Sequence, residues 1–209
     1  EGDVVLENAE TMLLLPDLLG YFLTGEKKSE YTEVTTGMIY NPTTKDWDWE
    51  TIRELDLPER IFTKIDKTGT IRGHLRPELC EELGLNSAAF VAVGGHDTAS
   101  AVAAIPGSGS FAFCSSGTWS LFGTELQAPV INEESEKIQY TNEGGYEGTT
   151  RFLKNICGLW IFEQCRPELK DAPEHVAELV ALCETSSLSS LIDPDAPCFA
   201  HPSSMRAAI

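Results

Sequence analysis

The sequence predicts an α/β protein, and three observations carry that expectation. A continuous apolar run at 88–93 (AAFVAV) stops at Gly94-Gly95 and leads into the small-residue segment 99–105, the pattern of a strand buried on both faces, a glycine turn and a closely packed helix. Residues 110–116 and 119–122 read as two strands joined by a tight turn at Gly117-Thr118. Segments 11–24, 151–164 and 173–183 read as helices, the second with apolar positions Phe152, Ile156, Leu159 and Trp160.

In chain order, 11–24 is an apolar core helix that restarts around Pro16 and ends at Gly25. A polar stretch at 31–36 precedes Gly37, and Asn41-Pro42 begins a turn. Asp46 opens a short helix through Leu57, closed by Pro58, on which Trp47 and Trp49 read as core anchors in preference to a stacking platform. Residues 64–73 read as loop, and 77–83 as one or two helical turns before Gly84. A turn or hinge is expected at 106–109, and a loop at 141–148. The helix at 173–183 carries acidic residues near its start, and 186–202 returns to loop with a turn at Asp193-Pro194-Asp195.

Composition narrows the function classes. The 209 residues are 42% hydrophobic and 23% charged, which is globular rather than disordered. Against 15 Lys and Arg stand 33 Asp and Glu, a net charge of −18, and such a surface repels phosphate backbones and anionic lipid. No nucleic-acid or membrane partner is therefore expected, while a neutral sugar or a nucleotide in a locally arranged pocket stays open. The most apolar stretch, 12–23, is too short for a membrane span and is interrupted by Pro16, Asp17 and Gly20. Six cysteines without a CxxC pair, and four histidines, argue against structural zinc. They read as free thiols in a reducing cytoplasm, most of them in the core. The first residue is Glu1 rather than Met, so a processed or partial chain is expected, and no secretory signal opens it.

Two places suit chemistry. Gly94-Gly95-His96-Asp97-Thr98 sits where a strand gives way to a helix, the position at which open α/β sheets gather ligands. Asp97 there reads equally as a helix N-cap, and His96 alone reads as a core histidine. The second place, Cys114-Ser115-Ser116-Gly117-Thr118, offers hydroxyls and a glycine to an anion, though no Lys follows the Gly as in a Walker A loop. A carboxylate at a strand end and a phosphate-cradling hairpin are two parts of a phosphotransferase cleft. The same pair also fits a hydrolase or a nucleotide-binding module.

The stretches GGHDTASAV (94–102), SSGTWSL (115–121) and TNEGGYEGTTRFLKNICGLW (141–160) closely resemble the FGGY family of carbohydrate kinases. LLLPDLLGYFLTG (13–25) and EYTEVTTG (30–37) resemble it too, in the expected order, and the resemblance fades after about Cys165. It implies a ribonuclease-H-like (actin-like ATPase) FGGY kinase fold of two domains with the active site in the cleft between them. Residues 1–104 would then be the C-terminal part of the N-terminal, sugar-binding domain, and 105–209 the first part of the C-terminal, ATP-binding domain. The implied reaction uses ATP and Mg2+ to phosphorylate the terminal hydroxyl of a sugar, and the 141–160 run points to L-rhamnulose.

Residue by residue, the resemblance implies Asp97 as catalytic base, with His96 and Thr98 lining the sugar beside it and Asn155 reaching the sugar or the cleft. Thr118 would contact the ATP phosphates, with Gly117 permitting the approach, and no residue of this chain is assigned to a metal. A Gln is common in the family near position 163 for nucleotide contact, where this chain has Glu163 followed by Gln164. The family's opening Asp-x-Gly-Thr/Ser hairpin and its late Gly-Gly-Gly segment are expected before Glu1 and after Ile209. The chain alone is therefore expected to be inactive and to associate through open sheet edges. Two alternatives are a kinase of L-fuculose or another ketose, and a non-catalytic sugar- or nucleotide-binding module.

Overall fold

The structure, a computed structural model, describes residues 3–107, 109–169, 172, 173 and 175–209. Ser108 of the turn expected at 106–109 and Glu174 of the helix expected at 173–183 lie outside the described residues. Strands and helices alternate along much of the chain, the mixed α/β content that the sequence predicts. The largest sheet has four strands in the order Ala112–Ser116, Ser120–Leu126, Thr150–Ile156, Thr141–Gly144. The chain divides into two compact units, Glu1–Phe113 with Gly123–Leu153, and Cys114–Phe122 with Lys154–Ile209.

In the first unit, helix Leu15–Thr24 forms where expected, with Pro16 in its first turn and Gly25 at φ 81° closing it through an N–H to the Tyr21 carbonyl. The core gathers Val34, Trp47 and Ile52, with Met12, Leu14, Ile39 and Phe62 packed around them. Both tryptophans act as anchors: the Trp47 ring lies 4.9 Å from that of Phe62, its Nε1–H donates to the Thr63 carbonyl at 2.7 Å, and Trp49 meets Phe62 edge-on at 6.0 Å. The helix expected from Asp46 begins later, as Trp49–Glu54. Asp46–Trp47 instead pairs antiparallel with Tyr40–Asn41, and the Asn41 side chain accepts the Thr43 and Thr44 N–H groups to close the turn.

Four further readings are corrected. The expected loop at 64–73 contains strands Ile65–Asp66 and Ile71–His74, the first pairing parallel with Ser29–Glu30. The apolar run at 88–93 yields strand Ala89–Val91, which pairs antiparallel with Ile71–His74 and leaves Val91 43% and Val93 66% exposed. It is not buried on both faces, because the sheet it joins has two strands. Residues 151–164 are not one helix: Thr150–Ile156 is a strand, and a helix, Leu159–Cys165, starts after Gly158. Arg151 and Leu153, two residues apart, are both fully buried, and the strand pairs with Thr141–Gly144, where a loop had been expected. The apolar positions Phe152 and Ile156 lie on the strand face opposite the buried Arg151 and Leu153, and their spacing to Leu159 and Trp160 happens to match a helical period.

Asp17, fully buried on helix Leu15–Thr24, forms an ion pair with Arg72 at 2.7 Å and accepts the Glu30 N–H at 3.2 Å. Burial nevertheless outweighs Arg72 and raises the Asp17 carboxyl above its ordinary value. A raised folded value makes its contribution to stability full below the unfolded value and lost as pH rises through the folded one. Asp17→Asn is expected to remove that acid-side gain, seen as a flatter melting temperature against pH across the mildly acidic range.

In the second unit, Ile161, Cys165, Phe199 and Met205 form the core, with Cys157 and Trp160 against it. Glu168 anchors the final helix, Met205–Ala208: its carboxylate accepts Ser204 Oγ at 2.5 Å and the Met205 N–H at 2.9 Å, and the Ser204 bond leads in lowering its pKa. All six cysteines are free, but the expectation that most lie in the core is wrong. Cys165 is buried, Cys80 and Cys157 are half-buried, and Cys114, Cys183 and Cys198 are exposed.

Candidate active site

The first unit's site is built on a buried carboxylate. Glu30 ends the short strand Ser29–Glu30 and caps helix Tyr31–Val34, accepting the Thr32 and Glu33 N–H groups. Its Oε2 also accepts the Gly95 N–H at 2.9 Å and Thr32 Oγ1 at 2.5 Å, while Oε1 accepts Thr68 Oγ1 at 3.0 Å. Thr32 Oγ1 in turn accepts the His96 N–H at 3.3 Å. The Gly94-Gly95-His96 turn is thereby tied to the 30–34 segment through backbone donors, which holds the start of helix Asp97–Ala103 in place.

His96, not Asp97, occupies the N-cap position of that helix, and Asp97 is its first helical residue. The N-cap reading of Asp97 is therefore corrected. Its carboxylate is 97% exposed and accepts Thr98 Oγ1 at 3.2 Å, so it stays open to a ligand. Thr98 is buried. The His96 ring is three-quarters covered, with Nε2 3.8 Å from Asp97 Oδ1 and Nδ1 3.2 Å from Arg151 Nη2.

Arg151 is fully buried on strand Thr150–Ile156. Its Nε donates to the Gly144 carbonyl at 2.8 Å, its Nη2 lies 3.1 Å from Glu143 Oε2, and its Nη1 has no hydrogen-bond partner. Burial lowers the Arg151 pKa, opposed first by the charge of Glu143 and then by Glu125 and Glu30. Glu143 Oε2 also lies 3.6 Å from His96 Nδ1. Beside the turn is a cavity of about 280 Å³ whose walls include Thr32, Val91, Gly94, Ala99, Ser100 and Tyr146.

His96, Asp97 and Thr98 thus fall in one cluster, together with Arg151, Glu143 and Glu30, which the reading of the sequence had not singled out. The available signal was their place in EYTEVTTG and TNEGGYEGTTRFLKNICGLW; taking 151–164 as a helix hid the cross-strand pairing of Arg151 with Glu143.

The remaining expected site residues belong to the second unit. Gly117 and Thr118 are exposed in the turn of the predicted hairpin, and their carbonyls accept the Leu159 and Trp160 N–H groups at 3.0 Å each. The turn therefore caps helix Leu159–Cys165 and is held by it. Asn155 is exposed on its strand, and Glu163, on that helix, lies 3.4 Å from Arg166 Nη1.

Comparison with known proteins places this architecture. Profiles of the FGGY family of carbohydrate kinases match residues 2–104 as its N-terminal domain and 112–209 as its C-terminal domain. The chain belongs to the FGGY family of carbohydrate kinases. It is 45% identical over 210 residues to a rhamnulokinase of Bacteroides thetaiotaomicron, covering 99% of this chain and 43% of that protein. A rhamnulokinase of Oceanobacillus iheyensis is 38% identical, over 96% of this chain and 42% of its own. The chain thus spans less than half the length of these relatives. Among solved structures, a gluconate kinase from Lactobacillus acidophilus superposes with a TM-score of 0.70 at 20% identity, over 88% of this chain and 37% of its own. A ligand-bound xylulose kinase from the same organism gives 0.68 at 18%, over 86% and 36%. These two share the fold.

Among the described residues no three His, Cys, Asp or Glu side chains group as a metal site. Glu30 spends both oxygens on hydrogen bonds to Thr32, Glu33, Thr68 and Gly95. Nor is any helix among the described residues long and apolar enough to cross a membrane.

Proposed function

We propose that this chain is part of a kinase that transfers a phosphoryl group from ATP to the terminal hydroxyl of L-rhamnulose, giving L-rhamnulose 1-phosphate. The observation that carries the reading is the Asp97 carboxylate, exposed and released from capping, beside an imidazole held in place from behind. A sugar hydroxyl is a poor acid, so its attack on phosphorus needs a charged acceptor within hydrogen-bond reach, and Asp97 is that base. His96 and Thr98 line the sugar, and Asn155 contributes to its binding. Gly117 and Thr118 serve the phosphates of ATP, which is used together with a divalent ion, Mg2+. Residues 1–104 belong to the sugar-binding domain and 105–209 to the ATP-binding domain. Six free thiols suit a reducing cytoplasm. The choice of L-rhamnulose rests on the relatives at 45% and 38% identity.

The test exchanges residues 1–209 into the matching part of the Bacteroides rhamnulokinase and follows ADP release with L-rhamnulose, L-fuculose and D-xylulose. Turnover with a clear preference for L-rhamnulose is expected, and none from the 209-residue chain alone. A folded exchange protein that prefers another ketose would replace the substrate, and one without turnover on any of them would remove the kinase reading.

A further inference from the structure

We infer that Arg151 and Glu143 are positioning residues that hold His96 as its Nε2–H tautomer, so that a fixed N–H donor stands beside the Asp97 carboxylate. The inference deepens the kinase reading and rests on it for its catalytic meaning, but the geometry behind it needs no ligand. Arg151 is fully buried and touches no solvent, so a direct role in binding substrate is closed to it. Its guanidinium has donors and no acceptor. With Nη2 at 3.2 Å, His96 Nδ1 must therefore be the acceptor, and the ring hydrogen sits on Nε2.

Glu143 completes the device. Its Oε2 lies 3.1 Å from Arg151 Nη2 and 3.6 Å from His96 Nδ1, so it pins the guanidinium while competing weakly for the same ring nitrogen. The Gly144 carbonyl fixes Arg151 Nε from the neighbouring strand at 2.8 Å, and the His96 N–H is fixed by Thr32 Oγ1. Both the backbone and the inner edge of the imidazole are thus held. The outer edge faces Asp97 at 3.8 Å, too far for a direct hydrogen bond and close enough for both groups to hold one small ligand. One face then offers an acceptor, Asp97, next to a donor, His96 Nε2–H. That juxtaposition matches two vicinal oxygens, a hydroxyl that gives up its proton and a neighbouring oxygen that accepts a hydrogen bond. The 1-hydroxyl and 2-oxygen of a ketose are such a pair.

The tautomer is read directly by two-bond nitrogen–proton NMR correlation on the full chain labelled with nitrogen-15 histidine, at mildly alkaline pH, with His96→Gln assigning the signal. The wild-type chain is expected to show the Nε2–H pattern for His96. In Arg151→Met the remaining neighbour of Nδ1 among the described residues is an acceptor, Glu143 at 3.6 Å, so the ring hydrogen moves to Nδ1; Arg151→Lys, which keeps a donor, retains the Nε2–H form. An Nδ1–H pattern in the wild type overturns the inference, as does a folded Arg151→Met chain that keeps Nε2–H. If Arg151→Met fails to fold, the wild-type spectrum decides alone. In the exchange protein, Arg151→Lys is expected to keep most of kcat. A correct tautomer without any ketose turnover would defeat the kinase reading and leave the positioning intact.

Discussion

Asp97→Asn in the exchange protein is expected to lower kcat for L-rhamnulose by about 10²–10⁴-fold, the range a positioned general base contributes, while sugar affinity stays within a few-fold. The expectation follows from where the carboxylate sits. It is solvent-facing, accepts one bond from Thr98 Oγ1, and takes no part in capping helix Asp97–Ala103, so the amide replaces it without loosening the fold. An amide cannot accept the hydroxyl proton, yet it keeps the shape and much of the hydrogen bonding. Single-turnover kinetics with isothermal titration separates the two effects. Unchanged kcat would take Asp97 out of its role, and unchanged kcat with a loss of affinity would make it a sugar ligand alone.

Gly123→Val is the substitution expected to cost most stability, more than about 4 kcal/mol, enough to abolish cooperative unfolding of the chain. A Cβ at Gly123 would lie 2.6 Å from Leu153 Cβ and 2.7 Å from Leu153 Cα, and closer still to the Phe152 carbonyl oxygen. Two of those three are backbone atoms, so the strand Thr150–Ile156 would have to move as a whole, carrying the fully buried Arg151 and Leu153 with it. Gly117→Ala is the contrasting case. A Cβ there meets the Trp119 carbonyl at 3.6 Å, an ordinary contact, so the fold is expected to be unchanged and the effect to fall on the KM for ATP. Thermal melts followed by circular dichroism check both, and a Gly123→Val chain that melts like the wild type would show that the strand can yield.

How much of this was legible beforehand differs from element to element. Helices Leu15–Thr24 and Pro77–Leu83 were readable because their stops are local: Gly25 and Gly84 close them in the left-handed conformation. The Gly94-Gly95 turn and the Gly117-Thr118 hairpin were readable for the same reason, and so were His96, Asp97 and Thr98 as candidates. Strand Thr150–Ile156 was not, because its apolar residues and those of Leu159–Cys165 merge into one helical period when no partner strand is in view.

By itself the sequence determined the acidic globular character, the family, the glycine turns and the residue types able to move a proton. Those properties are local or compositional, written in single residues and short spacings. Only the tertiary structure decided that His96 rather than Asp97 caps the helix, that Glu30 ties the 94–96 turn to a segment more than sixty residues earlier, and that Arg151 reaches His96 from a strand 55 residues downstream. Those are non-local bonds among buried groups. A buried charge is tolerable only where distant residues supply its partners, and the partners become visible when the strands pair.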